Sequence, residues 1–196
     1  AGAVNTSYIL DAAVTTAKID DAAVTTAKIA ASSVTPALLA QPLTSGTAVA
    51  TTSGTAIDFT GIPSWAKRIT LLFNDVSTNA GNPFLIQIGS GSITSTGYLT
   101  SSSYQGASMG AGTSTAGFVM WHGGTGEKHS GSYTINLFTG FTYVGSGIYG
   151  YSSLQGYTVT GGGVVTLSGV PDRLRLTTTN GTDTFDAGSI NIMYEG

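Results

Sequence analysis

Two histidines offer the most specific chemistry in this chain. His122-Gly-Gly-Thr-Gly-Glu-Lys-His129 is one polar, glycine-rich segment that directly follows the apolar run Phe118-Val-Met-Trp121. Neutral imidazole is a competent metal ligand, and several chains around a common axis would bring copies of one histidine together. The alternative is a solvated loop with two ordinary histidines. We favour that alternative, predict no cofactor, and keep His122 and His129 only as candidate metal ligands.

Aromatic side chains indicate a second kind of chemistry, which is binding. Tyr and Trp combine a rigid apolar face with a hydrogen-bonding group, which suits sugar rings as well as protein surfaces. Tyr143 and Tyr157 lie in apolar runs and could equally fill a core. Small Gly and Ser neighbours leave the other aromatics of this region accessible, on loops predicted at about 97–131 and 145–157. The predicted receptor-binding residues are Tyr98, Tyr104, Trp121, His122, His129, Tyr149 and Tyr151.

Motifs that would indicate catalysis carry little weight here. Residues 145–150 fit the dinucleotide fingerprint, but strand patterns flank them on both sides, whereas that motif needs a following helix. Residues 64–67 fit S-x-x-K without the companion motifs of the acyl-enzyme families. A glycosidase needs a pair of carboxylates, and the seven acids after residue 40 suggest none: Asp58, Asp75, Glu127, Asp172, Asp183, Asp186 and Glu195. Asp183 and Asp186 lie in a segment typical of a turn, with a weak Ca²⁺ site as the alternative. We therefore predict no enzyme activity.

Charge and composition exclude several functional classes. The net charge of −3, from 7 basic and 10 acidic residues, offers no electrostatic footprint for nucleic acid. The chain has no Cys, which excludes disulfides and thiolate metal sites. Its continuous apolar runs are only a few residues long, so we predict no membrane insertion. Because the sequence begins at Ala1 without Met, we expect a piece of a longer chain.

The first forty residues are four copies of a ten-residue repeat, AGAVNTSYIL, DAAVTTAKID, DAAVTTAKIA and ASSVTPALLA. Steps of five residues rotate by about 140° in an α-helix, so the large apolar residues would form no stripe on one. We predict a short extended piece and then one helical turn through T-A-K-I, capped by Thr. Such a unit cannot bury its apolar groups alone, which favours an intertwined oligomeric shaft over a flexible Ala/Thr linker. The predicted shaft core is Val4, Ile9, Val14, Ile19, Val24, Ile29, Val34 and Leu39.

Residues 41–196 show period-two apolar alternation punctuated by Gly, Ser, Asn and Pro. Ile69, Leu71 and Phe73 are predicted to face one way, and Thr70 and Asn74 the other. The same alternation predicts strands at 57–59, 84–88, 133–137, 174–176 and 190–194, and weaker runs lie near 104–109, 117–121, 141–149, 155–160 and 163–168. About ten short strands at 8–12-residue spacing are typical of an antiparallel sandwich or barrel. We predict two domains, a shaft at 1–40 and a mainly β head at 41–196.

Three stretches carry a resemblance to a known family. The A-V-T-T-A-K-I repeats, the segment GTAIDFTGIPSWAKRITLLFN at Gly54–Asn74 and the closing FDAGSINIMYE at Phe185–Glu195 resemble the C-terminal end of tail-fibre proteins of tailed bacteriophages. These stretches frame nearly the whole chain, but the middle, about 89–165, is not specific to that family. It implies a homotrimer with a short repeat-built shaft, followed by an antiparallel β-sandwich head that is jelly-roll-like. The H-x-H spacing that some phage fibres use for iron is absent.

The resemblance also implies a function and a location. The head would bind a bacterial surface receptor, either a polysaccharide or an outer-surface protein, and so mediate host adsorption. The protein would belong to the tail fibre of the virion, outside cells when functional, and a missing N-terminal region would contact other tail proteins. The alternative is a structural head or collar fibre, or a trimerisation cap, without receptor binding. A carbohydrate-degrading tail spike is the third hypothesis.

Overall fold

The third ten-residue repeat contains the helical turn that the sequence predicts. Thr26–Lys28 forms a 3-10 helix in which the Lys28 N–H donates to the Thr25 carbonyl at 2.9 Å. These coordinates come from a computed structural model that describes residues 15, 19–20, 23–30, 33–34, 43–151 and 156–196. The chain divides into two compact units, Ala1–Ala40 and Gln41–Gly196. No helix in the described ranges is long and apolar enough to cross a membrane.

Four large apolar residues of the repeats lie in the described part of the chain, and all four are exposed within the single chain. Exposed fractions are 43% for Ile19, 57% for Val24, 43% for Ile29 and 58% for Val34. This agrees with the argument that one copy of the repeat has nothing to bury them against. The other predicted shaft-core residues lie outside the described residues: Val4, Ile9, Val14 and Leu39.

The second unit is mainly antiparallel β, as predicted. The larger sheet has the spatial order β1 (Thr44–Ser45), β13 (Phe185–Glu195), β4 (Arg68–Thr78), β9 (His129–Thr139), β10 (Thr142–Tyr151), β11 (Thr158–Thr166), β6 (Leu99–Gln105) and β7 (Met109–Ser114). A short strand, β2 (Val49–Ala50), also pairs with β13. The smaller sheet has the order β3 (Ile57–Thr60), β12 (Arg173–Thr178), β5 (Phe84–Gly89) and β8 (Phe118–Met120).

Both sheets contribute side chains to one buried cluster. On β4, Ile69, Leu71 and Phe73 are buried while Asn74 is exposed, so the predicted alternation is confirmed. β5 is buried along its whole length, because it lies between β12 and β8 and carries large apolar residues on both faces. Packing within this buried cluster holds the two sheets together and so fixes the positions at which their strands end.

The segments predicted as receptor loops are mostly strands, so that prediction is wrong. Residues 97–131 contain β6, β7 and β8, and residues 145–151 belong to β10. The runs predicted at 155–160 and 163–168 are one strand, β11. Three consecutive glycines interrupt the apolar alternation of β11, so the sequence pattern indicated two separate runs. A Cβ on Gly161 would lie 2.6 Å from Met120 Sδ, and one on Gly163 would lie 2.4 Å from Thr100 Cγ2. The glycines are strand residues that make room for side chains from β8 and β6.

Candidate functional site

One end of the larger sheet gathers most of the side chains that the sequence singles out. Tyr151 ends β10 and is paired with His129, the first residue of β9. Tyr104 lies near the end of β6, and Tyr157 directly precedes β11, which pairs with both β6 and β10. Antiparallel pairing places the end of one strand beside the start of the next. The strands therefore bring four residues that are distant in sequence to one edge.

The two histidines occupy inward-facing positions in the alternation of residues along β8, continued to His122, and along β9. His122 follows Phe118 and Met120 at steps of two, and all three are fully buried. His129 is in the same phase as Tyr133 and Ile135, which are also fully buried. Because alternate residues of a strand share a face, both rings point into the core. The hypothesis of a solvated loop is therefore wrong for the histidines themselves.

The rings of His122 and His129 contact each other through nitrogen atoms. His122 Nε2 lies 2.7 Å from the Ala80 carbonyl and 3.0 Å from Thr78 Oγ1, and His122 Nδ1 lies 2.5 Å from His129 Nε2. A carbonyl can only accept, so His122 Nε2 carries the hydrogen and His122 Nδ1 presents a lone pair. In the metal-free protein His129 Nε2 then donates to that lone pair. His129 Nδ1 is buried and has no hydrogen-bond partner in the described part of the chain.

Aromatic rings enclose this histidine pair. Phe84 stacks on His122 with ring centroids 4.8 Å apart, and it meets His129 edge-on at 5.4 Å. Tyr149 and Tyr151 lie against His129 at 4.7 and 4.4 Å. Burial lowers the pKa of His122, and it lowers the pKa of His129 to about 2, with the neighbouring His122 as a second cause. Both rings are therefore neutral at physiological pH, and each has one unprotonated ring nitrogen.

Glu127 is partly exposed and lies close to the buried histidine pair. Its Oε2 accepts from the Gly123 N–H at 3.1 Å, and a Cβ on Gly123 would lie only 2.7 Å from that oxygen. One donor atom from each of His122, Glu127 and His129 lies within 4.8 Å of the others. Burial, followed by the Glu127 charge, raises the pKa of the Tyr151 hydroxyl, so Tyr151 stays neutral. The loop from 121 to 128 thus carries a carboxylate next to two neutral imidazoles.

Glu127 also lines an open cavity of about 190 Å³. Tyr104 and Trp121 pack with centroids 4.9 Å apart, and Tyr151 stacks on Tyr157 at 5.6 Å. A Cβ on Gly110, which is paired with Tyr104 across β6 and β7, would lie 2.4 Å from the Tyr104 ring. We call this cavity the aromatic pocket; its lining residues are Tyr104, Ser108, Trp121, Gly123, Glu127, Tyr151 and Tyr157.

The structure separates the predicted receptor-binding residues into two groups. Tyr104, Trp121 and Tyr151 line the aromatic pocket and are partly exposed, together with Tyr157. The predicted exposure of Tyr98 and Tyr149 is wrong, because they are 0% and 1% exposed. Tyr98 Oη bonds the backbone of Ile88, and the Tyr149 hydroxyl donates to the Trp121 carbonyl.

His122 and His129 are each 0% exposed and so cannot contact a receptor directly, which makes their assignment as receptor-binding residues wrong. The same burial contradicts a metal site made from copies of one histidine at a common axis, since both rings are enclosed within one chain. The burial of both histidines could have been predicted from the sequence, because each lies at steps of two from apolar residues of β8 or β9.

Two other features of the second unit are weaker candidates for a binding site than the aromatic pocket. A shallow depression of about 740 Å³ lies over β6, β7 and β11, and Leu99, Thr, Ser and Gly residues line it without aromatic or charged groups. The Asp183 carboxylate accepts from the Asn82 N–H and from the side-chain amides of Asn82 and Asn180. Donors therefore already occupy that carboxylate, which supports the turn interpretation over a Ca²⁺ site.

Comparison of the chain with protein-family models, with curated proteins and with solved structures found no match.

Proposed function

We propose that this protein is the C-terminal part of a bacteriophage tail fibre, and that its second unit binds a carbohydrate on the bacterial surface. The observation that carries the proposal is the aromatic pocket, in which Tyr104, Trp121, Tyr151 and Tyr157 surround a single carboxylate. The resemblance of the repeats and of both ends of the head to tail fibres supplies the biological setting.

The pocket has the chemistry of a sugar site. Aromatic faces pack against the apolar C–H faces of a sugar ring, while tyrosine hydroxyls, Ser108 and Glu127 offer hydrogen bonds to its hydroxyls. The cavity is concave and small, which suits a ring-sized ligand better than a flat protein surface. The low charge of the chain also favours a neutral ligand. A glycan receptor is therefore preferred over a protein receptor.

The fibre architecture belongs to the same proposal. Exposed Ile19, Val24, Ile29 and Val34 support burial between chains, which a homotrimeric shaft would provide. The two sheets that share one buried cluster support a β-sandwich head, and the jelly-roll-like arrangement stays a prediction. Three pockets on one trimer would make weak single-site binding effective through avidity.

A binding role is preferred over a hydrolytic one. Glycoside hydrolysis generally requires two carboxyl groups on either side of the scissile bond, roughly 5–9.5 Å apart. Among the described residues that line the aromatic pocket, Glu127 is the single acid. We therefore propose that the head binds its receptor without cleaving it.

Competition for host cells tests the proposal. The purified protein should inhibit adsorption of the phage that carries it, whereas a structural collar fibre or trimerisation cap should not compete. Trp121→Ala should raise the concentration needed for half-inhibition at least about tenfold, which corresponds to a loss of about 1.4 kcal/mol in the overall free energy of binding. Phe138→Ala is the matched control, because Phe138 is an aromatic residue that is 71% exposed and lies outside the pocket.

Comparing wild type with Trp121→Ala distinguishes failure of the pocket assignment from failure of the proposed receptor-binding function. If wild type inhibits adsorption and Trp121→Ala inhibits equally well, another surface binds the receptor and the pocket assignment fails. If wild type does not inhibit, the receptor-binding function itself fails. Release of reducing sugar from host polysaccharide would instead indicate an enzyme.

A further inference from the structure

The histidine pair has features that a hydrogen bond between two imidazoles does not explain. The chain contains two histidines, and both are fully buried with nitrogen atoms 2.5 Å apart. Burying polar groups is costly unless each finds a partner, yet His129 Nδ1 has none in the described residues. An Ile or Leu pair would fill this volume without that cost. The arrangement therefore calls for a role other than packing.

The surroundings of His122 match those of a metal ligand. Histidine ligands almost always donate their other ring N–H to a backbone carbonyl, a carboxylate or water, which fixes the ring and its tautomer. His122 Nε2 does this with the Ala80 carbonyl, and the Thr78 hydroxyl also bonds that carbonyl at 2.8 Å. Because Nε2 is held in this way, His122 Nδ1 presents its lone pair to His129 Nε2, 2.5 Å away.

We propose that His122, His129 and Glu127 form a binding site for one divalent transition-metal ion, with Zn²⁺ as the favoured ion. Two imidazoles and one carboxylate are an established ligand set for Zn²⁺, with water in the fourth position. Ligands at about 2.0–2.1 Å from a tetrahedral ion lie about 3.3 Å apart, so the two nitrogens would separate by roughly 0.8 Å on binding. The hydrogen that His129 Nε2 carries in the metal-free protein would move to Nδ1 of the same ring, so that Nε2 presents its lone pair to the ion. The proposal does not depend on the receptor-binding function.

The ion would act on the loop between β8 and β9. Its three ligands lie at the start of that loop, near its end and at the first residue of β9. One ion would therefore tie both ends of the loop together. The loop also carries Gly123 and Glu127, which line the aromatic pocket, so the metal would hold one wall of the pocket in place.

Metal titration of the full chain, expressed without a histidine tag, tests the site. Equilibrium dialysis and calorimetry with Zn²⁺ should show one ion bound per chain, and Co²⁺ should give the visible absorption of a four-coordinate site. Because the chain has no Cys and no other His, any site elsewhere would have to use carboxylates without imidazole or thiolate, and such oxygen ligands suit Mg²⁺ and Ca²⁺ better than Zn²⁺. Bound Zn²⁺ should also raise the thermal unfolding midpoint, since the ion binds the folded state.

Glu127→Gln is the decisive variant, because Glu127 is partly exposed and its replacement leaves the buried rings in place. It should weaken Zn²⁺ binding at least about tenfold. Glu195→Gln is the matched control; Glu195 pairs with Arg68 at 2.9 Å and lies outside the cluster. The absence of saturable Zn²⁺ and Co²⁺ binding to wild type would overturn the proposal. An equal loss of affinity in both variants would overturn the assignment of Glu127 as a ligand.

Discussion

Tyr98→Phe tests whether Tyr98 is a core residue, as the structure indicates, and not the receptor contact that the sequence predicts. Tyr98 Oη accepts from the Ile88 N–H at 2.9 Å and donates to the Ile88 carbonyl at 3.2 Å. Both groups of a strand residue point to the same side, so they do not also bond β12. The carbonyl keeps a second donor, the Thr94 N–H at 3.1 Å, but the Ile88 N–H loses its partner.

The expected loss can be worked out from these contacts. An unsatisfied buried donor costs about 1–3 kcal/mol, so the free energy of unfolding should fall by about 2 kcal/mol. This is a large fraction of the 5–15 kcal/mol that is typical of a folded domain. The loss of one hydroxyl creates no cavity of consequence, so the effect reports the hydrogen bond.

The pH dependence of this difference provides a second, independent test. Burial raises the pKa of Tyr98 to about 12, from about 10 in the unfolded chain. The neutral hydroxyl therefore contributes stability that is complete below pH 10 and is lost as the pH rises through 12. Between pH 9 and 11 the wild type should lose about 1.3 kcal/mol through Tyr98 ionisation, which the Phe variant cannot lose. The difference between the two proteins should shrink from about 2 to about 0.7 kcal/mol.

Urea unfolding followed by tryptophan fluorescence at both pH values measures these quantities. The other buried tyrosines titrate alike in both proteins and cancel in the comparison. Equal stability at pH 9, or a difference that does not shrink by pH 11, would refute the reasoning. Adsorption inhibition should be unchanged, because Tyr98 is fully buried. A variant with unchanged stability and reduced inhibition would restore the surface role.

Two further substitutions test the packing of the second unit and the oligomeric shaft. Gly147→Ala should destabilise the protein by about 1–3 kcal/mol, because its Cβ would lie 2.4 Å from a buried tyrosine ring. Gly150→Ala on the same strand, whose nearest contact would be 3.8 Å away, should be nearly neutral in the same urea unfolding assay; equal effects would contradict the packing argument. Ile29→Asp should convert the proposed trimer to single chains in sedimentation equilibrium, because it places a charge in the interface between repeats. A trimer that survives this change would argue against the shaft.

Local periodicity predicted the strands that carry large apolar residues. β4, β5, β9, β12 and β13 were all anticipated from alternation at steps of two, because burial of one strand face imposes that pattern directly on the sequence. The helical turn at Thr26–Lys28 was equally local, since a Thr-capped turn depends on a few consecutive residues.

The strands built from Ser and Gly could not be predicted in the same way. β6 and β7 carry small polar residues where an alternating apolar series would be expected, and the sequence therefore indicated loops. Their pairing partners come from distant parts of the chain, as the register of β6 with β11 shows. Small residues there accommodate side chains from other strands, a reason that no local pattern expresses.

The sequence by itself determined a mainly β unit after a ten-residue repeat, a weakly charged surface and a set of aromatic residues suited to binding. The tertiary structure decided which aromatics are available: Tyr104, Trp121 and Tyr151 line one pocket, whereas Tyr98 and Tyr149 are buried. Residues of the same type differ in solvent exposure because exposure depends on where each strand ends relative to its neighbours. The contact between His122 and His129 has the same origin, since their seven-residue separation acquires meaning only where β8 and β9 place both rings inside the core.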